Sequence, residues 1–151
     1  MRQLIALASC ALLAACAAPA PFEPSTAPPS APTAREPAFD PALIGSIWLV
    51  EDIGGAGVID NLQSKLQFVS ASQVAGHGGC NSFNGAAVLS AGQLSMGPLA
   101  STRKMCPPAV MDQENRFLRA LETERSARVE HDLLHLHDAN GQTILRLSRA
   151  P

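Results

Sequence analysis

Tyrosine is absent from this 151-residue chain, tryptophan occurs once and aromatic residues make up only 4% of it. Stacking platforms for single-stranded nucleic acid or sugars are therefore poorly supplied. No basic run exceeds Arg103-Lys104, and 11 Lys+Arg stand against 13 Asp+Glu for a net charge of −2. Nucleic acid is excluded as a partner, because counterion release needs a concentrated cationic surface. No Cys-x-x-Cys pair and no Lys-Ser/Thr after a glycine loop occur, which removes the usual zinc and phosphate-loop signatures.

What is present begins with an apolar run. Arg2 precedes Leu4-Ile5-Ala6-Leu7-Ala8 and Ala11-Leu12-Leu13-Ala14-Ala15, a signal peptide over residues 1–15 that is too short to span a bilayer stably. Its end, Leu13-Ala14-Ala15-Cys16, resembles the bacterial lipobox, in which the cysteine thiol receives a diacylglycerol and becomes the mature N-terminus. Leu7-Ala8-Ser9-Cys10 is a rival with a shorter apolar segment, and an ordinary secretory signal with an incidental cysteine is the plainer alternative. Acyl chains on Cys16 would give effectively permanent anchoring. Ala17 follows the cysteine where Asp would retain the protein at the inner membrane, so the expected location is the outer membrane, with the domain facing the periplasm.

Residues 16–41 carry eight of the twelve prolines among Ala, Ser and Thr. Such a composition cannot bury a core, and it predicts a lipidated, polyproline-leaning tether reaching up to ~3.1 Å per residue. A proline-rich ligand for a partner's groove is the functional alternative.

Residues 42–151 hold nine Lys+Arg and ten Asp+Glu and are long enough for one modest core. Strand patterns run over Ser46 to Ile53, stopping at Gly54-Gly55, and over Lys65 to Val69. They recur over Ala86 to Ser90 and Gln93 to Leu99, and again over Leu133 to Asp138 and Gln142 to Leu147 around Asn140-Gly141. Asn84-Gly85 reads as a further turn. Pro107-Pro108 opens a helix with Val110, Met111, Phe117, Leu118 and Leu121 on one stripe, since proline is tolerated in a helix's first turn. One helix within a run of antiparallel strands predicts an α+β domain, a small curved sheet or half-barrel with one covering helix.

Several motifs follow in order: Trp48-Leu49, Phe68, Gly76-x-Gly78-Gly79-Cys80-Asn81-x-Phe83-x-Gly85, Thr102-x-x-x-Cys106-Pro107, Glu114-x-x-Phe117-x-x-x-Leu121 and Leu134-x-Leu136. Together they resemble the META domain of HslJ-like heat-shock proteins over nearly all of residues 43–148. The resemblance implies a strongly curved antiparallel β domain with one helix, set in the cell envelope, with no enzyme activity and no cofactor. The family's naming suggests a stress-related role. His77 inside the glycine run and the long tether depart from the pattern.

With Cys10 in the signal peptide and Cys16 lipidated, Cys80 and Cys106 remain. An even pair in an exported domain most simply forms a disulfide. Two buried thiols, or a Cys80 nucleophile assisted by His77, are the alternatives, and the last lacks an orienting third group. The glycine run opens no helix and so makes no phosphate cradle. Glycines there instead permit positive φ and close backbone approach.

Asn81, Thr102 and Glu114 are polar residues that the family pattern keeps beside core positions, and spacing from Val110 and Phe117 puts Glu114 on the helix's inward stripe. They suggest a fold-specifying hydrogen-bond cluster, with a ligand-binding polar floor as the alternative. His131, His135 and His137 share parity and would line one strand face at a spacing that His-x-His metal sites use. No Cys or carboxylate obviously completes a tetrahedron, although Glu130 and Asp132 are close in sequence, so the bland reading is a solvated face. Two functions result. One is a non-enzymatic envelope lipoprotein binding or protecting another envelope component; the other is a periplasmic metal-binding module using the His-x-His face.

Overall fold

The structure is a computed structural model that describes residues 43–90 and 93–151. Strands come first: β1 (Ile47–Ile53), β2 (Ala56–Gly57), β3 (Lys65–Ser70), β4 (Gln73–His77), β5 (Ser82–Ser90), β6 (Gln93–Met96) and β7 (Ala100–Ser101). Helix α1 (Pro108–Thr123) follows, then β8 (Ser126–Glu130), β9 (Leu133–His137) and β10 (Thr143–Arg149). Every pairing is antiparallel. The curved sheet expected from the sequence goes further than a half-barrel. Its strands run β10-β9-β8-β6-β5-β4-β3-β1, and β1 pairs with β10 to close the ring. β2 extends from β1 and β7 from β5.

The core follows from period-2 alternation. Leu66 and Phe68 from β3, Phe83 and Ala87 from β5, Leu94 and Met96 from β6, Leu134 and Leu136 from β9, and Leu145 and Leu147 from β10 all point inward and are buried. In β1 the alternation breaks, because Trp48, Val50 and Ile53 are all buried. A bulge between Val50 and Asp52 absorbs one residue and returns Ile53 to the core face. Inside the ring, Phe117 and Leu121 of the helix meet the sheet residues, with the rings of Phe83 and Phe117 edge to face at 5.7 Å.

The helix starts where the sequence places it. Pro107 is the cap residue without a side-chain bond, and its carbonyl accepts from the amides of Val110 and Met111 at 3.0 and 3.1 Å. Its buried face comprises Gln113, Glu114, Phe117 and Leu121, so two polar side chains enter the core with the apolar stripe.

Two sequence expectations need correction. Asn84-Gly85 is not a turn but the middle of β5, paired with β4 and, at Asn84, with β7. A Cβ at Gly85 would sit 2.6 Å from the Leu99 side chain, so the glycine serves a close approach and not a reversal. Residues 131–137 are not one strand either. β8 ends at Glu130, and His131, with φ 57°, begins the turn into β9.

The closure is uneven. β1 and β10 share five register pairs, whereas among the described residues β6 and β8 share one, Gln93 with Ser126. At that seam the Leu94 amide reaches the Arg125 carbonyl at 3.2 Å, and the Met96 amide is taken by a side chain, that of Glu124.

Candidate functional site

The polar cluster is built on the loop between β4 and β5. Gly78 donates to the Asn81 carbonyl at 2.8 Å, Gly79 adopts φ 119°, and the chain turns so that successive amides face inward. Glu114 comes up from the helix beneath. Its Oε2 accepts from the amides of Cys80 at 3.0 Å and Asn81 at 2.6 Å, and its Oε1 accepts from Asn81 Nδ2 at 2.7 Å. A Cβ at Gly78 would meet the Glu114 side chain at 2.5 Å, so only glycine lets the carboxylate so close.

Asn81 passes the connection onward. Its Oδ1 accepts from Thr102 Oγ1 at 2.8 Å and from the Lys104 amide at 2.7 Å, while Nδ2 also donates to the Lys104 carbonyl at 3.3 Å. The three residues singled out in the sequence are thus joined, in series. Thr102 is exposed and touches Asn81, not Glu114, so its expected place beside the core is corrected. Cys80 and Cys106 are linked by a disulfide with Cα atoms 6.1 Å apart, which ties the Thr102 to Pro107 segment to the same loop. His77 Nδ1 accepts from the Gly79 amide at 3.1 Å. With the Cys80 sulfur bonded to Cys106, no Cys-His nucleophile is assembled here.

Three buried polar residues, Ser64, Gln113 and Glu124, escaped the sequence reading. Gln113 Oε1 accepts from the Ile59 amide at 2.7 Å and its Nε2 reaches Ser64 Oγ at 3.3 Å, while Ser64 donates to the Gly78 carbonyl at 2.8 Å. This chain supports the glycine loop from the other side. Glu124, at the end of the helix, is fully buried. Its Oε1 accepts from the Met96 amide at 2.8 Å and its Oε2 has no partner among the described residues. Burial raises its pKa to about 7, with the Met96 amide opposing the rise. For Gln113 the signal was its place beside Glu114 on the inward helix face; for Glu124 no motif surrounded it.

The histidines divide. His135 and His137 stack at 6.4 Å on the face of β9 opposite Leu134 and Leu136, and His137 Nδ1 lies 3.2 Å from Thr143 Oγ1. His131 lies in the turn and does not join them. Among the described residues no group of three His, Cys, Asp or Glu side chains could hold a metal ion, so the metal-binding alternative is not favoured. A cleft at the β6–β8 seam, lined by Val88, Gln93, Leu94 and Arg125 among others, has a volume of about 180 Å³, below the roughly 300–1,000 Å³ of small-molecule sites. Cys16 lies outside the described residues.

A family model described as META domain matches residues 41–151. Two solved NMR structures are similar to the chain. One, 28% identical with a TM-score of 0.57, is matched over 71% of this chain and 91% of that one. The other, a protein from Burkholderia xenovorans, is 25% identical with a TM-score of 0.58 over 81% of this chain and 98% of that one. No curated protein matches.

Proposed function

The chain belongs to the META domain family, and from that premise we propose that it is a non-enzymatic envelope lipoprotein whose small β domain binds or protects another envelope component. Cys16 carries the lipid, residues 16–41 hold the domain off the outer membrane, and residues 42–151 work in the periplasm, with expression tied to envelope stress. The observation that carries this reading is how the cluster spends its polar atoms. Both Glu114 oxygens and both Asn81 side-chain atoms bond to each other, to loop backbone or to Thr102. Groups so engaged shape a surface and are not held ready for a reacting substrate. The disulfide fits an oxidising compartment.

The test is proximity cross-linking with the lipidated full chain in intact envelopes, followed by solubilisation and mass spectrometry. A stoichiometric envelope partner, captured by the native chain and lost when the surface from Thr102 to Met105 is replaced, supports the reading. Turnover of a small substrate by the purified chain would overturn it.

A further inference from the structure

The cluster and the disulfide converge on one exposed stretch. Thr102, Arg103, Lys104 and Met105 all face solvent, Met105 being 91% exposed, yet their backbone is held on both sides of Arg103. On the N-terminal side the Thr102 amide donates to the Ser82 carbonyl at 3.0 Å and its hydroxyl to Asn81 at 2.8 Å. On the C-terminal side the Lys104 amide and carbonyl are both bonded by the Asn81 side chain, and Cys106 is fixed by its disulfide. Between these anchors the N–H and C=O of Arg103 have no partner among the described residues. Neither Arg103 nor Lys104 forms an ion pair among the described residues.

We propose that Thr102 to Met105 is a substrate-like inhibitory loop for serine endopeptidases of arginine or lysine specificity, with Arg103 entering the enzyme's primary pocket. Such an enzyme needs a cation for its carboxylate-floored pocket, a free N–H to bond, and a free carbonyl for its oxyanion hole. Arg103 offers all three. Lys104 does not, because its carbonyl is turned to Asn81. A loop already fixed in shape binds without the ordering cost that weakens a flexible substrate.

The same anchors separate an inhibitor from a substrate. Attack by the serine oxygen on the Arg103 carbonyl carbon forms an ester as the Arg103–Lys104 C–N bond breaks, with the serine proton passing to the Lys104 nitrogen. That amine stays held by Asn81 and, through Cys106, by the disulfide. It re-attacks the ester, returning its proton to the serine, faster than water enters. The inference rests on the reading of the domain as a binding or protecting module and names the partner's class.

The full oxidised chain is titrated against trypsin, with a small arginyl amide as reporter substrate. Tight inhibition is expected, weakened about a hundredfold or more by Arg103→Ala at an unchanged melting temperature. Arg103→Lys should retain inhibition and Lys104→Ala should leave it within a few-fold. Replacing both Cys80 and Cys106 by serine should turn the loop into a cleaved substrate. No inhibition at about 10 μM, steady accumulation of chain cut after Arg103 or Lys104, or full inhibition by Arg103→Ala would overturn the proposal. A chain that fails against trypsin but still captures an envelope partner by cross-linking loses this inference alone; failure of both removes the binding reading as well.

Discussion

Glu114 accepts three donors within a buried pocket, two of them backbone amides. Truncating it strands those donors, and Glu114→Ala is expected to cost about 1–3 kcal/mol, read as a lower urea midpoint. Glu114→Gln should recover part of this, because its carbonyl oxygen can keep the two backbone amides while its NH₂ faces only the Asn81 Nδ2 donor. Glu124 adds a pH dependence. Its pKa, raised from 4.5 to about 7 by burial, means that the folded state favours the protonated carboxyl. Its contribution to stability is therefore full below about pH 4.5 and is lost as pH rises through about 7, by up to about 3 kcal/mol. Measured as the difference in unfolding free energy between the native chain and Glu124→Gln from pH 4 to 8, that loss should appear in the native chain alone.

Among the elements, the glycines within strands β4 and β5, Gly76 and Gly85, make a graded test. A Cβ at Gly76 would fall on the Lys65 carbonyl oxygen, part of the neighbouring strand, whereas at Gly85 it would meet the end of the Leu99 side chain. Backbone in a ladder cannot yield and a leucine can swing, so Gly76→Ala should cost about 3 kcal/mol and Gly85→Ala about 1, compared by thermal unfolding. The same strands show where sequence legibility stops. β1 was readable as a β-rich run stopped by Gly54-Gly55, and β3, β9 and β10 because the buried pairs Leu66 and Phe68, Leu134 and Leu136, and Leu145 and Leu147 stand either side of Gln67, His135 and Arg146. β4 was hidden, since Gly76 and His77 read as loop, and in β8 only Ala127 and Val129 are half-buried apolar positions. Asn84-Gly85 carries a turn's composition inside a strand because packing against Leu99, not chain reversal, selects the glycine. In the cluster, Asn81 and Glu114 were legible from the resemblance and from the helix stripe. Glu124 was not, because its burial comes from the β6–β8 seam, a contact between segments that the sequence does not pair.

For the whole molecule, the expectation that follows from Leu13-Ala14-Ala15-Cys16 is lipid at Cys16. Intact mass of membrane-extracted protein should show an N-terminal cysteine with added acyl chains, and Cys16→Ser should leave the precursor unprocessed. A soluble product starting elsewhere would refute it. The way the ring closes adds a constraint of timing. β1, the first long strand, lies between β3 and β10, the last, and Trp48 is in register with Arg149. A chain made or moved across a membrane from its N-terminus therefore carries one unpaired edge of β1 until β10 arrives. Contacts so distant in sequence close slowly, and an open strand edge is a template for pairing with a second chain in the meantime. The interval between emergence and completion, and not the finished barrel, is when this protein most needs a chaperone.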